Sequence, residues 1–334
     1  MGAIRIIVIL FFHLVVLSTE AFATSKIETN FETASETVQS RLLEAPEASF
    51  FYLNHWIDVY NEMAQETSQL TFDQRPTRPI ESLEDYAPSK ELTSWSPNGT
   101  PIVSPHWGHS KPLSFTRPDQ FRAAPPPQPN SKIFERDLEE VFRLGEKYGE
   151  SRPTEGSVMA AFWADGIGTV TPPGRWNLIA LKQSQALSQK RRIKLMLALN
   201  IALYDAGIAA WDSKYHYNYW RPTQAITTLY PEHADWTPML EPPFHPEYVS
   251  GHSAFSGAAA AILEAMIGHT EFCVTSDELL GLTRCFSSFT DAAQQAGRSR
   301  IYGGIHYEFS NQSGQKIGQD VANQVLTNFA KYLK

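Results

Sequence analysis

Three short blocks of this sequence concentrate the residue types that bind and transform an anion. The first runs Lys214-Tyr-His-Tyr-Asn-Tyr-Trp220-Arg221-Pro222. Its two cations lie seven residues apart, so on one continuous helix they would project from one face, with Pro222 ending or kinking that helix beside them. The second runs His245-Pro-Glu-Tyr-Val249-Ser250-Gly251-His252 and leads into an alanine-rich stretch. A helix starting there offers a hydroxyl, free N–H groups and the positive end of a dipole. His252, in the first turn, is placed for acid-base work. The third is Arg298-Ser299-Arg300-Ile-Tyr302-Gly303-Gly304-Ile305-His306. Here Arg300 can clamp an oxyanion through parallel hydrogen bonds, and the glycines allow a tight turn next to a ligand. Taken singly, Lys214 and Arg221 read as a solvated face and Ser250 as a plain N-cap. Together the blocks describe a cage for a phosphate-shaped oxyanion.

The elements that must position these blocks read as helices. After a Ser131 cap, Leu138, Val141, Phe142 and Leu144 recur at helical intervals. A Gly/Pro-rich loop over 166–174 precedes a long apolar-periodic stretch from Trp176 to about Trp211, with a break near Ser188. Further helices are expected from Ser253 to Met266 and from about Gln315 to Leu333. Strand signals are scarce and no repeat is visible, so the fold class is all-α, a helical bundle. Between Pro76 and Pro129 stand twelve of the chain's 22 prolines, interleaved with Trp95, Trp107, Phe115 and Phe121. Proline rejects helix interiors, and these aromatics are too many for a solvated tether, so this is an irregular arm wrapped over the body.

Composition narrows the partners. With 334 residues and a net charge of −8, the chain can bury a large core and lacks the basic surface that nucleic acid demands. Arg5, the apolar run 6–17 and Ala21-Phe22-Ala23 resemble a signal peptide of residues 1–23; a dozen apolar residues are too few for a spanning helix, and no later segment suffices. The expected organisation is therefore an export signal (1–23), an N-terminal segment with the Pro-rich arm (24–130) and a helical catalytic domain (131–334). The mature chain is expected in a secreted or periplasmic setting with no membrane span. Cys273 and Cys285 form either a bridge or two free thiols, and they give no zinc pattern.

The three blocks resemble the signature shared by vanadium-dependent haloperoxidases and the type 2 phosphatidic-acid phosphatase superfamily. Both have a lysine and Arg-Pro separated as Lys214 and Arg221-Pro222 are, then Ser-Gly-His, then Ser-Arg with a histidine six positions beyond the arginine. Phe162-Trp-Ala-Asp-Gly and Thr169-Val-Thr-Pro-Pro-Gly-Arg-Trp176 resemble bacterial haloperoxidase homologues more than lipid phosphatases. The resemblance implies the haloperoxidase and acid phosphatase type of bundle, and vanadate as cofactor. Lys214, Arg221, Ser250, Gly251 and Arg300 would bind the oxyanion, His306 would be its metal ligand, and His252 its acid-base. Hydrogen peroxide and a halide would be the reactants, with a homo-oligomer as in many relatives. His245 stands where bromide- or iodide-oxidising relatives carry histidine, and is either a halide-site residue or a loop residue packed on Pro242 and Pro246.

Two positions depart from the signature. Val249 replaces a proline before Ser250. Ser310 stands four residues after His306, where an aspartate that orients the metal-bound histidine is common; Ser310, Glu308 or Asn311 is left to substitute. Two rival functions share the cage. One is a vanadate-sensitive phosphatase acting on phosphate esters, with His306 as nucleophile and His252 protonating the leaving group. The other is a non-catalytic oxyanion-binding protein.

Overall fold

The computed structural model describes residues 45–64, 89, 91–97, 102–166, 168–276 and 278–330. The expected export signal 1–23 and most of the stretch 24–88 lie outside these residues. The centre of the fold is helix α5 (Gln189–Tyr217), buried without interruption from Arg192 to Lys214. Its sequence is apolar on every side because other elements cover every side. By length and composition it is long and apolar enough to cross a membrane, yet its apolar window is wholly enclosed by the fold. Helices α1 (Ala45–Ala64), α4 (Thr171–Gln183), α7 (Gly251–Met266) and α9 (Glu308–Asn328) pack around it. The remaining helices, α2 (Lys132–Gly145), α3 (Thr154–Phe162), α6 (Pro222–Leu229) and α8 (Phe289–Tyr302), complete the bundle.

The expected break near Ser188 is real: α4 ends at Gln183 and α5 begins at Gln189. The last helix starts a full turn or more before Gln315, at Glu308. Its N-terminus is capped from a distance, because the buried Asp137 carboxylate on α2 accepts the Phe309 N–H at 2.7 Å, a cap that local sequence cannot reveal. Helix α9 lies unusually close to α7: a Cβ at Gly318 would overlap the Ala254 carbonyl oxygen. A short antiparallel hairpin, β1 (Phe272–Thr275) with β2 (Thr283–Phe286), was not anticipated. It sets Cys273 opposite Cys285, joined by a disulfide with an S–S distance of 2.00 Å, so the free-thiol alternative is excluded.

Residues 102–130 run as a belt across α5 and the loops after it. Proline lacks an N–H, so a proline-rich strand cannot satisfy its carbonyls by pairing with itself. Tyrosine hydroxyls supply the donors: Tyr215 to Val103 O (2.6 Å), Tyr217 to Ala123 O (2.7 Å), Tyr219 to Pro127 O (2.9 Å) and Tyr248 to Ala124 O (2.8 Å). Two aspartates on α5 hold the belt by charge. Asp212 receives Arg122 through two bonds of 2.6 and 2.8 Å. Asp205, with no exposed surface, accepts the Leu113 and Ser114 N–H groups and the Ser114 hydroxyl.

Burial outweighs those three donors and lifts the Asp205 carboxyl from 3.8 to about 6. A folded value above the unfolded one means the folded state holds the proton more tightly. Asp205 therefore contributes its full stability below about pH 4 and loses it as the pH rises through about 6, a change of about 3 kcal/mol. Chemical denaturation of wild type and Asp205→Asn at pH 4 and 7 should show the difference between them shifting toward the variant by up to about that amount. Equal differences at both pH values would refute this account.

Candidate active site

Lys214 and Arg221 do not share a helix face. Helix α5 stops at Tyr217, and Asn218 takes a left-handed conformation (φ 45°) that turns the chain. Arg221 then precedes α6, with its N–H donating to Gln224 Oε1 at 3.4 Å. The two cations converge across this turn rather than along a helix. Both are fully enclosed and hold the neighbouring loops by their carbonyls. Lys214 Nζ donates to Pro246 O and Glu247 O, each at 3.0 Å. Arg221 Nη1 donates to Ile305 O at 2.8 Å and Nη2 to His245 O at 2.9 Å. The middle and C-terminal blocks are thereby tied to the first.

Ser250 is the N-cap of α7, as its plain reading required, and also sits in the cage. Its Oγ accepts from Ser253 N at 3.4 Å and lies 2.9 Å from Ser253 Oγ, whose single proton is spent on Asn311 Oδ1 at 2.8 Å, so Ser250 is the donor between the two hydroxyls. Gly251 lies against the Trp211 ring, where a Cβ would come within 3.2 Å. His252 Nε2 faces Ala164 O at 3.1 Å. A carbonyl only accepts, so the ring proton sits on Nε2 and Nδ1 carries the lone pair. Burial and Arg300 push the His252 pKa well down, keeping the ring neutral.

The third block splits between two duties. Arg298 points away and pairs with Glu140 and Glu308, bracing α8 against α2 and α9. Arg300 turns inward and donates from Nη1 to Trp163 O at 2.9 Å, while its buried Nε has no partner. Gly303 and Gly304 do not approach the cavity; Gly304 (φ 77°) packs on the Gly145 backbone, which lets the chain reverse toward His306. His306 Nδ1 meets Glu247 Oε1 at 2.6 Å, and the same oxygen accepts the Tyr307 N–H at 3.2 Å. An oxygen accepting from an amide receives from the imidazole as well, so Nδ1 carries the proton and Nε2 the lone pair. Burial and three nearby cations, Arg221, Lys214 and Arg300, hold His306 neutral by pushing its pKa well down.

Glu247 escaped the sequence reading, although it was visible as the one carboxylate inside the middle block. Burial raises it to about 7, opposed by Lys214 and Arg221. None of the expected substitutes reaches His306. Glu308 is bonded to Arg298 and Asn311, Asn311 Oδ1 accepts from Ser253, and Ser310 Oγ makes no well-formed hydrogen bond.

A cavity of about 320 Å³ opens onto this arrangement. His245, Gly251, His252, Arg300 and His306 line it, while Lys214, Arg221 and Ser250 are buried immediately behind. The rest of its wall is largely apolar, including Pro172, Leu240 and Phe244. Arg221 Nη2 also donates to His245 Nδ1 at 3.2 Å, which puts the His245 ring proton on Nε2 and disfavours the Pro246 O contact at 3.1 Å.

Burial is the main force lowering all three cations, Lys214 well below its ordinary value and Arg221 and Arg300 to about 10. Asp165 near Arg300 is already paired with Arg175 at 2.5 Å. Three cations facing one carboxylate, Glu247, leave the hollow with an excess of two positive charges, which suits a doubly charged tetrahedral oxyanion. The unpartnered Arg300 Nε and the His306 Nε2 lone pair fit vanadate in particular: a donor for its oxygens and a nitrogen for its metal. Among the described residues no group of three or more His, Cys, Asp or Glu is arranged to hold a bare metal ion.

Fold and site together define a helical-bundle protein with three buried cations gathered around a histidine-lined cavity. Residues 194–334 match the family model of the VCPO second helical-bundle domain. Vanadium chloroperoxidase of Curvularia inaequalis is 24% identical over 226 residues, 56% of this chain and 36% of that protein. The crystal structure of the first bacterial vanadium-dependent iodoperoxidase superposes with a TM-score of 0.64 at 32% identity, covering 72% of this chain and 62% of that one. An apo-type bacterial vanadium-dependent chloroperoxidase, 18% identical, shares the fold with a TM-score of 0.63 over 82% of this chain and 71% of that one. This chain thus spans about a third of the curated relative's length and less than two thirds of the iodoperoxidase. In sequence and fold it is similar to vanadium-dependent haloperoxidases.

Proposed function

We propose that this chain holds vanadate in the cage and uses hydrogen peroxide to oxidise a halide, bromide or iodide, to hypohalous acid. The observation that carries the reading is the set of three buried cations around a neutral His306 whose Nε2 is left free at the cavity. Vanadate, when bound, supplies a Lewis-acidic centre that polarises peroxide toward attack by halide. Everything else is the work of side chains. Lys214, Arg221 and Arg300 neutralise the anion's oxygens, with Gly251 N–H as a further donor. His306 Nε2 would ligate the metal. His252 Nδ1, which carries the lone pair, would accept and return a proton at the bound anion. His245 offers its Nε2–H to the halide, and the apolar wall limits water at the floor. The likeness to an iodoperoxidase supports the halide assignment. Export and self-association belong to the same reading, and the Cys273–Cys285 bridge suits an oxidising compartment.

Reconstitution of the purified chain with vanadate, followed by metal analysis and halide-dependent peroxide consumption, tests the proposal. Stoichiometric vanadium with bromide- or iodide-dependent turnover is expected. Vanadate-inhibited hydrolysis of p-nitrophenyl phosphate with no halide oxidation would replace it with the phosphatase reading, and vanadium uptake without either activity would leave a binding protein.

A further inference from the structure

The position after His306 where relatives often place an orienting aspartate holds Ser310, yet the imidazole is not left without a carboxylate. Glu247, from the loop before α7, reaches His306 Nδ1 at 2.6 Å; neither side chain is more than 3% exposed. Its charge offsets the two cations behind the cage, but its hydrogen bonds are made elsewhere. Lys214 Nζ addresses the Glu247 backbone carbonyl and Arg221 addresses the carbonyls of His245 and Ile305, so neither cation hydrogen-bonds the carboxylate. Oε1 is committed to the imidazole and to the Tyr307 N–H directly after it, and it therefore fixes the ring and the backbone that carries it. Oε2 is buried without a well-formed partner. Ser310, with no exposed surface, lies beside this carboxylate and favours its charged form.

We propose that Glu247 is the positioning residue for His306, and that the orienting carboxylate has moved in this chain from the first turn of α9 to the loop preceding α7. Ser310 and Glu247 are then the two halves of one exchange: the serine leaves room for, and turns toward, a carboxylate arriving from the other side. The inference rests on the cage reading, so its test separates the two. Without vanadate, the 15N chemical shifts of the His306 ring report its tautomer; with vanadate, equilibrium dialysis reports affinity.

Wild type should hold a single His306 tautomer with the proton on Nδ1. Glu247→Ala should give mixed tautomers and bind vanadate about 10- to 100-fold more weakly. The double variant Glu247→Ala/Ser310→Asp should regain at least about tenfold of that loss, which a merely structural defect would not allow. Glu247→Gln, which keeps shape and volume, covers the case in which the alanine variant fails to fold; it should weaken vanadate binding by about tenfold at an unchanged melting temperature. An unaltered tautomer and affinity within twofold of wild type in the Glu247 variants would overturn the positioning role. Failure of Ser310→Asp to restore binding in a folded protein would overturn the exchange. A wild type that shows the Nδ1–H tautomer but binds no vanadate would instead overturn the cage reading alone.

Discussion

Replacing Arg300 with lysine should weaken vanadate binding and halide-dependent turnover by about 100-fold or more, the cost of losing one preorganised donor to a developing or bound oxyanion. The substitution keeps the charge and removes the shape. In the structure the guanidinium spans two tasks: Nη1 is held by Trp163 O, and the unpartnered Nε belongs to the part of the group that remains uncommitted. A lysine ammonium can hold the carbonyl or meet the anion, but it has no rigid fork to do both. Arg300→Ala should lose at least as much and also leave the Trp163 carbonyl without its donor. Equilibrium dialysis against vanadate, with circular dichroism as a control for folding, reads the effect directly. Binding within threefold of wild type for the lysine variant would show that the bound anion does not use this side chain.

The second large effect is on stability. Gly304→Ala should lower the unfolding free energy by about 3 kcal/mol, combining the left-handed backbone cost with forced overpacking. At φ 77° an L-residue is strained, and the added methyl would collide with the Gly145 carbonyl oxygen and crowd Pro238. The damage would not stay local. The Gly303–Gly304 reversal connects Arg300 to His306, and the Gly303 carbonyl anchors the loop carrying Leu240 at 2.9 Å. Denaturant unfolding should therefore show a lower midpoint, and vanadate affinity should fall with it. A midpoint unchanged within error would mean that α2 and this turn can separate without cost.

How far the sequence foretold this site depends on the range of the forces involved. His252 in the first turn of α7 and Ser250 as its cap follow from local rules, and the structure has both. The all-helical bundle was legible because α2, α5, α7 and α9 carry their own periodicity or apolar length. The Lys214–Arg221 pair was read with the right partners and the wrong geometry. Seven residues suggested one helix face, but Asn218 adopts a left-handed turn that spacing alone does not announce. Glu247 was missed for a related reason: the familiar carboxylate is sought on the C-terminal side of His306, and nothing in local sequence says that a residue 59 positions earlier will reach it. The alternating tyrosines 215, 217 and 219 gave no local sign of their task. Their hydroxyls turned out to be the donors for a proline-rich segment that cannot supply its own.

That belt has a consequence for how the molecule is made. Arg122 and Ala123 are held by Asp212 and Ser213, 90 residues later in the chain, and Ser114 O is held by Asn328, 214 residues later. A ribosome therefore delivers the strap long before its buckle. Loop closure over such distances is slow and entropically costly, so the strap should fasten late, after the central helix has collapsed. Until then that helix, apolar enough to pass for a membrane segment, is the nascent chain's greatest exposure to chaperones and to its own neighbours.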